Sequence, residues 1–201
     1  MYGTVSRLLY TNKADFTAKA SFTTEASVLV GVSPEANNRP VFPAGIFSIE
    51  QGGWGKAFRI EAAGVLGWLN ASTPTYLFQL RLGTSTTWSA SDTSILQTAA
   101  MSVFSSTGQS NVQWRLVGNI ICRTPGLGTG NCTLTCDGEF WSAGVADPYT
   151  YPMAPSNGAF GTWTATIDGG LTQYLGLSVT CSASDASNTL TVKRLQVFEL
   201  N

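Results

Sequence analysis

The sequence predicts an all-β protein, an antiparallel sandwich of two sheets. Three observations carry this. Apolar residues recur at every second position over several long runs. Clusters of Gly, Pro, Asn and Asp separate those runs. No helical period lies between them.

The elements follow in chain order. Residues 27–32 (SVLVGV) form a first strand candidate, and Pro34, Pro40 and Pro43 with Asn37 and Asn38 mark an irregular crossing. Next, Phe58, Ile60, Ala62 and Gly64 alternate with Arg59, Glu61 and Ala63, and Tyr76, Phe78, Leu80 and Leu82 alternate with Leu77, Gln79 and Arg81. Thr93 to Phe104 reads as a weak helix or as a strand face through Ile95, Ala99 and Met101. Val112, Trp114, Leu116, Gly118, Ile120 and Cys122 share one side of a long strand, with Gln113, Arg115, Asn119 and Arg123 mostly on the other. Leu175, Leu177, Val179 and Cys181 repeat the pattern. Such alternation puts one face of each strand on a core. Many strands joined by turns fit a jelly roll or an immunoglobulin-like sandwich.

The two ends differ. Residues 1 to 24 hold one small apolar knot, Leu8, Leu9 and Tyr10, among polar neighbours, which reads as an arm ordered against a partner. Residues 1–40 are therefore assigned as arm and irregular lead-in, and 41–201 as the sandwich. Thr189 to Leu200 stays apolar through Leu195, Val197, Phe198 and Leu200. A terminus of that kind docks, either inside the sandwich or at a subunit interface.

Composition excludes several functions. The 201 residues carry 11 basic and 12 acidic side chains, no histidine, and only 11% charged residues, against roughly 25% in an average soluble protein. Ser and Thr number 45, so hydroxyls supply most of the polar surface. Binding to nucleic acid or to an anionic membrane needs a Lys/Arg excess that is absent. Histidine-based catalysis and zinc–histidine sites are impossible. No secretory segment or span-length apolar run is visible, so synthesis in a cytoplasm is expected. The patterns Asn70-Ala71-Ser72 and Asn131-Cys132-Thr133 are then chance matches to glycosylation sites.

Candidate chemistry is sparse. Cys122, Cys132, Cys136 and Cys181 each fall on the apolar parity of a strand, as buried thiols do, and supply one close pair where structural zinc wants two. In oxidising surroundings Cys122 and Cys132 can bridge across the glycine-rich hairpin. Asp137 and Glu139 point to one side of a strand without a second carboxylate across a bond, and no serine or cysteine nucleophile has a base. No catalytic residue, cofactor or metal is expected. Of the six tryptophans, Trp114 and Trp163 have core parity. Trp54 and Trp141, with Tyr149 and Tyr151, lie in loop-like stretches suited to a protein or glycan partner. The Pro- and Tyr-rich stretch 145–160 is the best functional loop. Arg59, Arg81 and Arg115 take non-core positions, as a charge ladder with Glu61 or as a subunit interface.

The order of several short runs adds a further reading. Pro43-Ala44-Gly45-Ile46-Phe47 is followed by residues 55–64 (GKAFRIEAAG), then Thr73-Pro74-Thr75, residues 78–83 (FQLRLG), Gly138-Glu139-Phe140 and residues 185–192 (DASNTLTV). Over residues 41 to 201 this order resembles the jelly-roll virion proteins of tailed bacteriophages, found as capsid decoration (cement) or head-fibre subunits. The four cysteines and the 145–160 loop depart from it. The resemblance implies a TNF-like jelly roll, a homotrimer on the virion surface, the major capsid protein as partner, and no enzymatic activity. Shell contact is expected from Leu8, Leu9 and Tyr10 or from Tyr149 and Tyr151. The trimer seam is expected near Phe198 and Leu200, with Arg59, Arg81 and Arg115. The alternative is a receptor-binding head or tail-fibre domain that recognises a host surface glycan.

Overall fold

The computed structural model describes residues 6–29, 39–47, 55–68, 74–102, 108–126, 131–143, 148–155 and 164–200. Among these, fourteen strands form: β1 (Ser6–Thr11), β2 (Lys19–Ala20), β3 (Ala26–Ser27), β4 (Val41–Phe42), β5 (Ala57–Trp68), β6 (Thr75–Gly83), β7 (Thr93–Gln97), β8 (Met101–Ser102), β9 (Gln109–Thr124), β10 (Cys132–Ala143), β11 (Pro148–Met153), β12 (Thr164–Ile167), β13 (Gln173–Cys181) and β14 (Thr189–Leu200). Thr93 to Ser102 is strand where it is regular, which resolves the helix-or-strand ambiguity of that stretch.

The larger sheet runs β1-β14-β5-β9-β10-β11, with β12 also on β10 and β2 also on β14. The smaller runs β3-β13-β6-β7, with β4 on β13 and β8 on β6. All pairings are antiparallel. The chain wraps from both ends. Its first strand lies beside its last in one sheet, and β3 and β4 lie beside the penultimate β13 in the other. That nesting is jelly-roll wrapping.

Alternation builds the core. Phe58, Ile60 and Ala62 on β5, Trp114, Leu116 and Ile120 on β9, Phe78, Leu80 and Leu82 on β6, and Leu175, Leu177 and Val179 on β13 are all buried between the sheets. Fully burying one such side chain contributes roughly 1.5–3 kcal/mol. Two aromatic clusters form within the core. Phe42, Phe47 and Phe58 meet at 5.1–5.4 Å between ring centroids. Phe78, Trp114 and Phe140 meet at 4.4–5.9 Å. Trp114 is therefore in the core, as its parity predicts; Trp163 lies outside the described residues.

The expected arm is corrected for residues 6–29. This segment belongs to the sandwich. β1 and β2 pair with β14, and β3 pairs with β13. Phe16, Phe22, Val28 and Leu29 are buried in the common core. Polar latches fix the path. Asn12 donates from Nδ2 to the Lys193 carbonyl at 2.9 Å and accepts from the Leu195 amide at 2.6 Å, filling the bulge in β14. Glu25 accepts from Arg81 Nε at 2.6 Å and Nη2 at 2.9 Å, and from Ser178 Oγ at 2.6 Å. Arg39 lies buried against Asp92 at 2.7 Å and also donates to the carbonyls of Ser85, Thr87, Tyr174 and Leu175. Burial pushes its pKa down, while Asp92 opposes the shift.

Candidate contact surface

Residues paired across neighbouring strands share a face, so the register reads out the outer surface of the larger sheet. One rung is Ser6, Leu200, Ala57, Ile121 and Thr135. The next is Leu8, Phe198, Arg59, Asn119 and Asp137. A third holds Thr11, Gln196, Glu61, Val117, Glu139 and Pro152, and a fourth Arg194, Ala63, Arg115, Trp141 and Thr150.

The first two rungs carry an apolar ladder facing solvent. Leu8 is 48% exposed and Ile121 37%. Phe198, Leu200 and Ala57 between them are partly exposed. The core-parity rule accounts for none of these five. Of the expected shell-contact residues at the N-terminus, Leu8 alone belongs to this outer ladder. A register shift between Leu8 and Tyr10 turns the chain, and Leu9 and Tyr10 pack against the core.

Beside the ladder the charges compensate one another. Glu61 lies 2.9 Å from Arg59 Nε, 3.5 Å from Arg194 Nη2 and 3.8 Å from Arg115 Nη2. Asn119 Nδ2 donates to Asp137 at 3.0 Å. Asp137 and Glu139 do share one side of β10, as their spacing predicts. Exposed pairs of this sort contribute about 0–1 kcal/mol each, so their role in stability is small. Arg81 is separate. It lies on the smaller sheet, paired with Glu25 at 13% and 16% side-chain exposure. The structure thus brings Arg59, Arg115, Phe198 and Leu200 to one face and places Arg81 on the other sheet.

A groove of about 290 Å³ opens on the far half of the same face, lined by Arg115, Val117, Glu139, Trp141 and Thr150. Trp141 lies on β10, between Arg115 on β9 and Thr150 on β11. The two tyrosines do not join it. Tyr149 and Tyr151 pair with Ser142 and Phe140, on the sandwich-facing parity. Tyr149 remains 37% exposed at the sheet edge, but Tyr151 packs against the core and burial pushes its pKa up. Tyr151 is thus partly buried, with its ring against the core and not in the groove. Trp54 and residues 144–147 and 156–163 lie outside the described residues.

All four cysteines are buried free thiols. Burial, with smaller contributions from neighbouring groups, pushes the thiols of Cys122 and Cys136 up to about 12. Among the described residues no three His, Cys, Asp or Glu side chains gather as a metal site. The groups that sequence reasoning missed are Glu25, Arg39 and Asp92. Their partners lie far away in the chain, so no local pattern marks them.

No family model matches the chain, and no curated protein sequence does. Solved structures do. The CBM2 module of the evolved Dit of Lactobacillus casei BL23 phage J-1 is similar over 100% of this chain and 98% of its own, at 11% identity and a TM-score of 0.39. The PL-14 alginate lyase from Aplysia kurodai is similar over 92% of this chain and 90% of its own, at 10% identity and a TM-score of 0.36.

Proposed function

We propose that this chain is a non-enzymatic structural subunit of a tailed-bacteriophage virion. It assembles as a homotrimer and binds and stabilises the major-capsid shell from outside. It is made in the host cytoplasm and takes no cofactor, nucleic acid or membrane as partner. The observation that carries the reading is the apolar ladder Leu8, Phe198, Leu200, Ala57 and Ile121 on the outer face of a sheet. An exposed ladder of this kind suits a second copy of the chain. The charges beside it are already paired, so burying it strands few ions. The hydroxyl-rich surface favours docking on a protein lattice for the same reason. Binding the assembled shell alone stabilises it by mass action, and a closed ring multiplies weak contacts.

Two measurements test this. The protein should sediment as a trimer, and Phe198→Asp combined with Leu8→Asp should give a folded monomer. It should also co-sediment with empty capsids, with a shallow dependence on salt because its net charge is -1. A persistent monomer that ignores assembled shells would end the proposal. Deleting the N-terminal segment would disrupt the fold itself, because it removes β1, β2 and two buried phenylalanines.

A second reading is favoured by the groove. Trp141 offers an apolar ring, and Arg115, Glu139 and Thr150 offer hydrogen bonds around it, a combination suited to a sugar. Under this reading the chain recognises a host surface glycan. Glycan-array binding that is lost in Trp141→Ala, together with no capsid co-sedimentation, would favour it over decoration.

A further inference from the structure

We propose that Cys122 and Cys132 form a paired modification site, converted by a small-molecule disulfide into an intramolecular bond that staples the β9–β10 turn. This inference is independent of the functional reading above.

Cys122 lies near the end of β9, and Cys132 is the first residue of β10. Both face the interior, and their Sγ atoms are 3.5 Å apart. The surroundings hold space for the two sulfurs. A Cβ on Gly55 would lie 2.5 Å from Cys122 Cβ and 2.7 Å from its Sγ. A Cβ on Gly169 would lie 3.0 Å from Cys132 Cβ. Glycine on both flanking segments leaves the pair room that any larger residue would take. The remaining cysteines are placed otherwise. Cys181 donates to the Ala183 carbonyl at 3.2 Å, and Cys136 sits opposite Ile120 in the middle of the β9–β10 ladder.

The pair also stands where several segments meet. The Cys122 amide donates to the Lys56 carbonyl at 3.1 Å, and Cys132 pairs with Ile167 on β12. A bond here joins the turn to the strands on both sides.

The chemistry balances by exchange. A thiolate of the pair attacks one sulfur of the oxidant, forming a mixed disulfide and releasing one thiol. The partner cysteine then attacks the protein sulfur of that mixed disulfide and expels the second thiol. Two protein thiols are oxidised, one disulfide is reduced to two thiols, and the two protons end on the released thiols. Burial pushes both thiols up; at Cys132 hydrogen bonds from Cys122 and the Gly126 backbone oppose the shift, whereas at Cys122 its neighbour adds to it, so Cys132 is the better first nucleophile. Burial makes exchange slow in the closed fold, so the bond forms faster during folding.

The test treats the full chain with oxidised glutathione, once folded and once during refolding. The expected product loses two hydrogen atoms from its intact mass, and its titratable thiols under denaturing conditions fall from four to two. Trypsin should leave residues 116–123 linked to residues 124–193, and a second protease should place the link at Cys132. Cys136→Ser should still form the bond, while Cys122→Ser and Cys132→Ser should not. Tm should rise on oxidation and return on reduction. Four titratable thiols after both treatments would overturn the proposal, and so would a bridge through Cys136 or Cys181. The wild-type map decides the matter even if a serine variant fails to fold.

Discussion

Replacing Glu25 with alanine tests whether the N-terminal segment is part of the fold. Glu25 lies just before β3 and accepts two hydrogen bonds from Arg81 and one from Ser178. Breaking a buried ion pair costs about 3–5 kcal/mol, because a charge is left without its partner. Two features lower that figure. Both side chains keep some solvent contact, at 13% and 16%, and Arg81 retains Gln79 and the Asp92 carbonyl as acceptors. Ser178 raises it again, since its buried hydroxyl loses an acceptor. The expected loss is about 2–3 kcal/mol. For a domain of this size each kcal/mol moves Tm by roughly 2–4 °C, so Tm should fall by about 4–12 °C. Urea melts of E25A, R81A and the double variant form a cycle that should return about 1–2 kcal/mol of coupling. R115A is the control, because its pair with Glu61 is long, at 3.8 Å, and Arg115 is 48% exposed. If E25A costs no more than R115A, residues 6–29 do not hold the second sheet as argued.

Three further outcomes are expected. Burial holds the Cys136 thiol up to about 12, against an ordinary 9.0, so the folded state keeps the proton that the unfolded state gives up. Stability from this group is full below about pH 9 and falls by up to about 1.4 kcal/mol per pH unit until about pH 12; Tm measured up to about pH 11 should show the decline, and Cys136→Ala should flatten part of it. Gly64→Ala places a Cβ 1.9 Å from the Thr191 carbonyl oxygen, which forces β5 from β14 and should cost about 3 kcal/mol or more in urea melts. Gly45→Ala meets open space but a φ of 76°, so the same melts should show only about 1 kcal/mol.

The sandwich was legible because its long strands are two-faced. The alternation through Phe58–Ala62 or Leu175–Cys181 records one buried side directly, and the cysteines could be placed by the same parity. The N-terminal segment was not legible, for a physical reason. Its strands are as short as two residues, and its anchors Phe16 and Phe22 follow no period. Its hydrogen bonds go to β14 and β13, at the other end of the chain. A polar segment with one apolar knot looks the same whether it is free or completes a sheet edge. The contact surface was legible in part. Phe198, Leu200, Arg59 and Arg115 do share a face, but non-core parity alone could not tell the outside of one sheet from the outside of the other, which is where Arg81 lies. The placement of Tyr151 was not legible, because aromatic content in a loop-like run does not reveal that β11 pairs with β10 and turns the ring towards the core.

The wrapping also links folding to the proposed assembly. Leu8 and Phe198 come from opposite ends of the chain and become neighbours only when β1 closes on β14. Ala57 and Ile121 join them through β5 and β9. These pairings are non-local, so loop closure must precede any reward from contact. The apolar ladder is therefore complete only in the finished sandwich, and an incompletely folded subunit lacks the face that would recognise its copies. A subunit that needs no charge attraction to find a partner requires some such safeguard, since apolar surface exposed early would associate without discrimination. Under the proposed assembly, closing the face with the first and last strands would supply it.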